Sequence, residues 1–292
     1  MEIPINECNC CGSESFSPFM QPKCYLTKEP LNAVLCNDCG FIFLSPRPDP
    51  KKGQDYFNKA YAGHEDFSNH EYYRDHDKKL YQSRLKIEAI EKLKPTGKKL
   101  LDVGAGQGHF MKEAIERGWD VVGTELSVEA RESAKKLFKI NLKESFEEYG
   151  PETFDVITLW DVLEHVSDTK GILAEVSKLL KKDGILIIET VNIDSVDFLV
   201  QKEKWHLWHV DHNYYFSMKS LRSFLEQFNY NQIQFLTGAE TTKRDKRTVM
   251  QFVSKYVKAP QKVFQELERR KLMKKSPDQM QGYTVIISAR KQ

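Results

Sequence analysis

The sequence has no cysteine after residue 39, no long apolar run and little excess of charge of either sign. No apolar run reaches the roughly eighteen residues of a membrane-spanning helix, so none is expected. The formal net charge of +2 gives no reason by itself to expect a nucleic-acid partner. The first residues, MEIPINECNCCG, show neither a basic n-region nor an apolar h-region. We therefore expect a cytoplasmic, non-secreted protein.

All six cysteines lie within the first forty residues, and four of them form two copies of one pattern. CNCCG contains Cys8 and Cys11, and CNDCG contains Cys36 and Cys39. Clustered thiols without a secretory signal are more typical of a metal site than of disulfides. Four thiolates supply the tetrahedral sulfur set that zinc prefers, and a site closed in this way is structural. The pattern predicts a zinc-ribbon module over residues 1–45.

Two cysteines remain outside this pattern. Cys10 could replace a neighbouring cysteine as a ligand, and Cys24 is expected to be a small buried apolar residue. The apolar and basic segment GFIFLSPRP leads out of the module. It fits a lobe that grips a substrate, and a module used only for packing fits equally well.

The chain has 292 residues, and the part that follows the cysteine module predicts an α/β fold. Residues 46–96 predict a helical connector or lid, in which KKLYQSRLKIEAIEKLK places leucines and isoleucines on one helical face. From residue 97 to residue 292, strands such as KLLDVG, DVVGTE, INLKES, FDVITLW and GILIIET alternate with helices. One helix is expected to continue through TKGILAEVSKLLKK until Asp183–Gly184. This alternation predicts a doubly wound, mostly parallel sheet.

A basic helical insert is predicted over residues 241–281, just before the last strand, YTVIISARK. The insert has twelve Lys or Arg residues against four Asp or Glu residues, so the remainder of the chain carries a net negative charge. Two interpretations stay open: a solvated helix face, or a surface that contacts phosphates or an anionic surface.

The segment KLLDVGAGQGHF, from Lys99 to Phe110, predicts a ligand-binding loop between a strand and a helix. The dinucleotide fingerprint is G-x-G-x-x-G, but here the third glycine comes one residue early and Asp102 precedes the first by two. A carboxylate there would repel phosphates and attract a cationic amino acid. Glu125 ends the next strand, where an acid accepts hydrogen bonds from ribose hydroxyls. S-adenosylmethionine (SAM) has both an adenosine half and a cationic amino-acid half.

LLDVGAGQG, GTELS and FDVITLWDVLEHVSD resemble the class I SAM-dependent methyltransferases, particularly the ubiquinone O-methyltransferase-like branch. The resemblance runs from about residue 85 to residue 239 and resumes in the last ten residues. It implies a Rossmann-like, seven-stranded sheet and SAM as cofactor. The cofactor-binding residues that it implies are Asp102, Gly104, Ala105, Gly106, Gly108, Glu125, Leu126, Trp160 and Asp161.

The paired CxxCG ribbon followed by FIFLSPRP is similar to the N-terminal module of a bacterial subgroup of these enzymes. That subgroup is often associated with methylation of sugars, polysaccharides or other secondary metabolites. Sugar C-methyltransferases with a similar ribbon carry a further C-terminal domain that has no counterpart in this sequence. Their particular reaction is therefore not carried over.

Histidines at two places are candidates for the base that removes a proton from the methyl acceptor. His165 follows the fourth strand of the predicted sheet, although a structural hydrogen bond is the favoured role for it. WHLWHVDHNYYF follows the fifth strand and contains His209, Asp211 and His212. We prefer His209 as the base, oriented by Asp211, with His212 and His165 as rivals.

Two further interpretations concern the same regions. The histidines and the carboxylate of WHLWHVDHNYYF could also hold a metal, although the resemblance implies none there. The tryptophans and tyrosines of this segment are expected to form walls of an acceptor pocket. The tyrosines expected to contribute to a lid, or to core packing, are Tyr56, Tyr61, Tyr72 and Tyr73.

The leading functional prediction is methylation of a small acceptor, at a hydroxyl of a sugar, a glycolipid or an aromatic metabolite. One alternative is an RNA methyltransferase that grips phosphates with the ribbon and the basic insert, and the near-neutral charge argues against it. Another alternative is a SAM-binding regulator or scaffold without chemistry. Peripheral contact with an anionic surface is compatible with the insert, and no oligomeric state is predicted.

Overall fold

The computed structural model describes residues 3–49, 75–236 and 284–292, together with residues 51, 55, 58 and 59. The four tyrosines predicted for a lid and the predicted insert 241–281 lie outside the described residues. The strands are β1 (Phe16–Met20), β2 (Ala33–Cys36), β3 (Ile42–Leu44), β4 (Lys99–Val103), β5 (Asp120–Thr124), β6 (Phe154–Trp160), β7 (Leu180–Val191), β8 (Tyr214–Tyr215), β9 (Tyr230–Leu236) and β10 (Thr284–Lys291). The helices are α1 (His76–Lys92), α2 (His109–Glu116), α3 (Val128–Phe138), α4 (Thr169–Leu179), α5 (Val196–Gln201) and α6 (Met218–Glu226), with a 3₁₀ turn at Lys202–Lys204.

The larger sheet confirms the predicted α/β class. Its strand order is β5-β4-β6-β7-β10-β9. The first four strands of this order are parallel to one another, and β10 is antiparallel to both β7 and β9. The side chains of β6 are buried from Phe154 to Leu159, as expected of a strand covered by helices on both faces.

Two local predictions about this sheet are wrong. INLKES forms only an isolated bridge between Lys143 and Thr124, so the sheet has six strands in the described part of the chain. This segment lies at the sheet edge and carries few apolar side chains, so little burial favours a full strand. Helix α4 ends at Leu179 rather than at Asp183, because Leu180 is fully buried as the first residue of β7 and pairs with Phe154.

A second, four-stranded sheet joins the cysteine-rich module to the rest of the chain. Its order is β1-β2-β3-β8, and β8 belongs to the histidine-rich segment far along the sequence. Ile42 pairs with Tyr215 and Phe43 pairs with Tyr214 in an antiparallel ladder. Phe41 and Phe43 share one buried cluster with residues of the larger sheet such as Leu101. The cysteine-rich module and the larger sheet therefore share one buried cluster.

The aromatic residues of WHLWHVDHNYYF do not line an acceptor pocket, which corrects the prediction made for them. Trp205, Trp208, Tyr214 and Tyr215 are all fully buried. Trp205, Trp208 and Tyr215 pack with Leu44 of β3 and with other apolar side chains. The indole Nε1 of Trp208 donates to the carbonyl oxygen of Lys202 at 2.8 Å, so its polar atom is satisfied inside the core. Their role is to fix the histidine-rich segment against the cysteine-rich module.

Candidate functional site

The candidate site lies at the carboxyl edge of the larger sheet. Asp102 of β4 pairs in register with Gly123 of β5 and with Thr158 of β6. The segments that follow these parallel strands therefore meet at one edge, where doubly wound sheets bind their ligands.

The glycine loop after β4 has a backbone that only small residues allow. Gly104 has a φ of +69°, and a Cβ atom there would lie 2.5 Å from Cγ2 of Val162. Gly108 has a φ of +80° and is the N-cap of α2. A Cβ atom on Gly108 would lie 3.3 Å from Cβ of Ala134. The loop thus turns tightly into a helix N-terminus between two neighbouring segments.

Asp102 is buried beneath this loop with an incompletely bonded carboxyl group. Its Oδ1 accepts a hydrogen bond from the Thr158 hydroxyl at 2.7 Å. Its Oδ2 is buried and has no hydrogen-bond partner in the described part of the chain. The pKa of Asp102 is raised to about 7, chiefly by burial and also by Glu125, while the Thr158 hydrogen bond and Lys86 oppose the rise. A positively charged group brought to this site would favour the ionised form.

Glu125 follows β5 and bridges two backbone segments of the site. Its Oε2 accepts from the amide of Gly106 at 2.9 Å, and its Oε1 accepts from the amide of Ser127 at 2.8 Å. The amide of Ala105 donates to the carbonyl oxygen of Thr124 at 2.8 Å, which adds a second link between the two segments. Beside them, Leu126 is 68% exposed, an unusual exposure for a leucine. The structure thus groups Gly104, Ala105, Gly106 and Gly108 with Glu125 and Leu126.

Trp160 is the last residue of β6, and Asp161 begins the segment after it. The Trp160 ring lies 5.1 Å from the Phe110 ring, and Nζ of Lys86 lies 4.4 Å from the centre of the Trp160 ring. The ring therefore lies among side chains of α1 and α2. The amide of Asp161 donates to the carbonyl oxygen of Glu189 at 3.0 Å, and Asp161 has a φ of +53°.

The histidines after β6 and before β8 form one cluster around Asp211. Nδ1 of His165 lies 3.0 Å from the backbone oxygen of Asp211 and 3.4 Å from its Oδ2. Nδ1 of His209 lies 3.7 Å from Oδ1 of Asp211, and its Nε2 lies 2.9 Å from the backbone oxygen of His206. The rings of His165 and His209 lie 4.6 Å and 4.8 Å, respectively, from the ring of His212. The four candidate catalytic residues are thus brought together.

Burial sets the protonation of two members of this region. His212 is buried, and its pKa lies well below the usual range because burial and the neighbouring His165 and His209 disfavour the cation. Glu164 is also buried, and burial together with Asp161 raises its pKa well above the usual range. Its Oε2 accepts from the Thr190 hydroxyl at 2.8 Å. Glu164 was not predicted as a site residue, although it lies next to His165 in the segment that follows a buried strand.

Asn213 is a second overlooked residue, and it holds the two histidine segments together. Its side-chain amide donates to the backbone oxygen of His165 at 2.7 Å. Its backbone amide donates to the backbone oxygen of Glu164, also at 2.7 Å. The amide of Leu44 in β3 donates to the backbone oxygen of Asn213 at 3.0 Å. Nothing in the sequence pattern distinguishes Asn213 from an ordinary loop residue.

The cysteine pairs meet as predicted for a metal site. The sulfur atoms of Cys8 and Cys39 are 3.6 Å apart, and so are those of Cys11 and Cys36. All four sulfurs lie within 4.8 Å of one another. Zinc bonded to sulfur at about 2.3 Å in a tetrahedron requires sulfur separations of about 3.8 Å, so the four side chains fit that ion.

The backbone of each cysteine pair forms the same tight turn. The amide of Gly12 donates to the carbonyl oxygen of Cys8 at 2.7 Å, and that of Gly40 donates to Cys36 at 3.0 Å. Both glycines have a φ above +70°, a conformation that suits glycine. The metal-ligand group does not include Cys10, whose sulfur lies 3.7 Å from the side-chain nitrogen of Gln227.

Comparison with known proteins agrees with this geometry. A family profile described as "Methyltransferase domain" matches residues 73–234. The ubiquinone biosynthesis O-methyltransferase of Aliivibrio fischeri strain MJ11 is 34% identical over 112 residues, which cover 35% of this chain and 48% of that protein. The enzyme of the same name from Pelagibacter ubique is 41% identical over 101 residues, which cover 32% of this chain and 42% of that protein. The chain thus spans about half the length of the curated relatives that it matches.

A solved structure shares the fold. It is a SAM-dependent methyltransferase of Thermotoga maritima, described as a possible histamine N-methyltransferase, with a TM-score of 0.52 and 20% sequence identity. The similarity covers 82% of this chain and 99% of that one. Among the residues that the structure describes, no helix is both long and apolar enough to cross a membrane.

Proposed function

Since the chain belongs to the methyltransferase-domain family, we propose that it transfers a methyl group from SAM to a hydroxyl group of a small acceptor. When bound, SAM supplies a methyl group activated by a positively charged sulfur. The observation that carries the proposal is the buried carboxyl group of Asp102, whose Oδ2 has no partner among the described residues. A cationic amino-acid half of a ligand would satisfy that oxygen, whereas a pyrophosphate would be repelled.

The residues around Asp102 have complementary roles in this proposal. The glycine loop brings its backbone close to the ligand at the N-terminus of α2. Glu125 accepts hydrogen bonds from two backbone amides, and in this proposal its carboxylate would accept ribose hydroxyls as well. The exposed side chain of Leu126 would cover the flat adenine ring. Trp160 and Asp161 contribute from the segment after β6.

We assign the proton-accepting role to His165 rather than to His209. Nδ1 of His165 donates to the backbone oxygen of Asp211, so the lone pair of a neutral ring lies on Nε2. Nε2 of His209 donates to His206, so its lone pair lies on Nδ1 and faces Asp211 instead of an acceptor. The backbone oxygen of Asp211 therefore orients the His165 ring and fixes its tautomer. His212 is fully buried, which makes it a poor third candidate.

An aromatic hydroxyl is our first candidate for the methyl acceptor, because the two curated relatives are named for ubiquinone biosynthesis. A hydroxyl of a sugar or a glycolipid is the second, and it follows from the ribbon module. We also retain cytoplasmic location and structural zinc as proposals. No observation on the described residues favours RNA methylation or a non-catalytic SAM-binding role.

Calorimetric titration with SAM tests the cofactor part of this proposal. Glu125→Ala removes a carboxylate from the site and should weaken SAM binding at least about tenfold. The matched control is Glu132→Ala, an exposed acid on α3, which should leave the affinity unchanged. Equal SAM affinity in both variants would remove Glu125 from the binding site.

A further inference from the structure

We propose that His209, Asp211 and His212 bind one divalent transition-metal ion of the zinc class, in addition to the cysteine site. One ligand atom from each residue lies within 4.8 Å of the others. Nδ1 of His209 and Oδ1 of Asp211 are 3.7 Å apart. Metal–nitrogen and metal–oxygen bonds of about 2.1 Å place adjacent ligand atoms about 3.0–3.5 Å apart. Small side-chain rotations therefore suffice to close the three atoms around one ion.

The hydrogen bonds of the two histidines leave the right atoms for a metal. Nε2 of His209 donates to the backbone oxygen of His206, so its lone pair is on Nδ1. Nδ1 of His212 is buried and makes no hydrogen bond in the described part of the chain, so it is the ring nitrogen that an ion would take. Metal-binding histidines characteristically donate their second ring nitrogen to such a carbonyl oxygen.

Two of the three ligand atoms are also buried acceptors that nothing satisfies. Nδ1 of His212 and Oδ1 of Asp211 have no hydrogen-bond partner in the described part of the chain. Buried polar atoms without a partner are unfavourable, because each loses hydration and gains no hydrogen bond in return. One cation would satisfy Nδ1 of His212 and Oδ1 of Asp211 at once. No described side chain donates a hydrogen bond to either atom.

The role of the ion rests on the proposed function. Three protein ligands leave a coordination position open, as in catalytic zinc sites. A ring nitrogen of His165 lies within 4.8 Å of a ring nitrogen of His212, so the base lies beside the metal. The ion would hold the acceptor oxygen and lower the pKa of its hydroxyl. The proton passes to His165, the oxygen lone pair forms the new bond to the methyl carbon, and the carbon–sulfur electron pair stays on sulfur.

Metal stoichiometry of the full-length chain tests the site without any activity measurement. After loading with Zn²⁺ and gel filtration, the wild type should retain two zinc ions per chain. His209→Ala and the conservative Asp211→Asn should retain one, which is a twofold loss. His206→Ala, a histidine outside the ligand group, should retain two. Cys36→Ser should lose the cysteine-bound ion and keep the other, and the Co²⁺-loaded protein should then lack sulfur-to-metal absorption.

A single zinc ion per chain in the wild type under excess Zn²⁺ would overturn the inference, as would two ions in both His209→Ala and Asp211→Asn. Circular dichroism of each variant verifies the fold, and Asp211→Asn keeps the side-chain shape. SAM calorimetry separates this inference from the proposed function. One zinc ion with normal SAM binding rejects only the new site, and two zinc ions without SAM binding reject only the proposed function.

Discussion

Replacing Asp102 by asparagine should stabilise the unliganded protein at neutral pH while weakening SAM binding. The pKa of the buried carboxyl group is raised to about 7, against about 3.9 in an unfolded chain. A raised pKa in the folded state means that the stabilisation is present below about pH 4 and is lost as the pH rises towards 7. The full difference of about three pKa units corresponds to about 4 kcal/mol at pH 8.

Asparagine cannot ionise, so the variant escapes this loss. The free energy of unfolding of Asp102→Asn, measured relative to the wild type, should rise by about 2.5 kcal/mol between pH 5 and pH 8. The comparison between two pH values removes the pH-independent effect of the new amide group. Urea unfolding at both pH values measures this change, with Asp120→Asn, an exposed aspartate on β5, as control. If the unfolding free energies of Asp102→Asn and the wild type differ by the same amount at both pH values, the carboxyl group of Asp102 does not have the raised pKa.

The SAM affinity of the wild type should increase with pH, whereas its stability should decrease. A cationic ligand needs the ionised carboxylate, so the SAM affinity of the wild type should rise about tenfold from pH 6 to pH 8. Asp102→Asn should bind SAM more weakly and lose this pH dependence, whereas Asp120→Asn should keep it. An Asp102→Asn variant with undiminished affinity would mean that the carboxylate does not face the ligand.

Three further predictions concern other parts of the site. Gly104→Ala should abolish SAM binding in calorimetry and lower the free energy of unfolding by about 1–3 kcal/mol, because its Cβ would clash with Val162. The control variant Gly150→Ala has open space around the new Cβ and should change neither quantity. His165→Ala should lower turnover about 10²–10⁴-fold at unchanged SAM affinity, and wild-type turnover would exclude it as the base. Cys36→Ser should lose the cysteine-bound zinc, unfold at lower urea and reduce turnover, because β3 supports the strand that follows His212. Sulfur-to-metal absorption that persists in the Co²⁺-loaded variant would contradict the ligand assignment.

The geometry of the glycine loop was predictable because its signals are local. The spacing of three glycines between a strand and a helix, with Asp102 before them, constrains the backbone within a few residues. Glu125 follows at the end of the next strand, and parallel strands bring such ends together. The four cysteines were predictable for the same reason, since each pair lies on one tight turn.

The proposed acceptor half depends on contacts between segments far apart in the sequence. Trp205 and Trp208 are buried where β3 pairs with β8. The pattern of apolar residues in the histidine-rich segment does not predict that pairing. Glu164 and Asn213 matter because the two loops meet through them, which is a property of the tertiary structure. The preference between His165 and His209 likewise needed the hydrogen bonds that fix each ring, because sequence spacing alone does not orient an imidazole.

Comparative calorimetry of the full-length protein with SAM, S-adenosylhomocysteine and NADH tests the central claim most directly. Both sulfur ligands share the adenosine and amino-acid halves that fit Glu125 and Asp102, whereas NADH brings a pyrophosphate to the carboxyl group of Asp102. We predict binding of one SAM or one S-adenosylhomocysteine per chain and no measurable binding of NADH. Binding of NADH without binding of SAM would contradict the account.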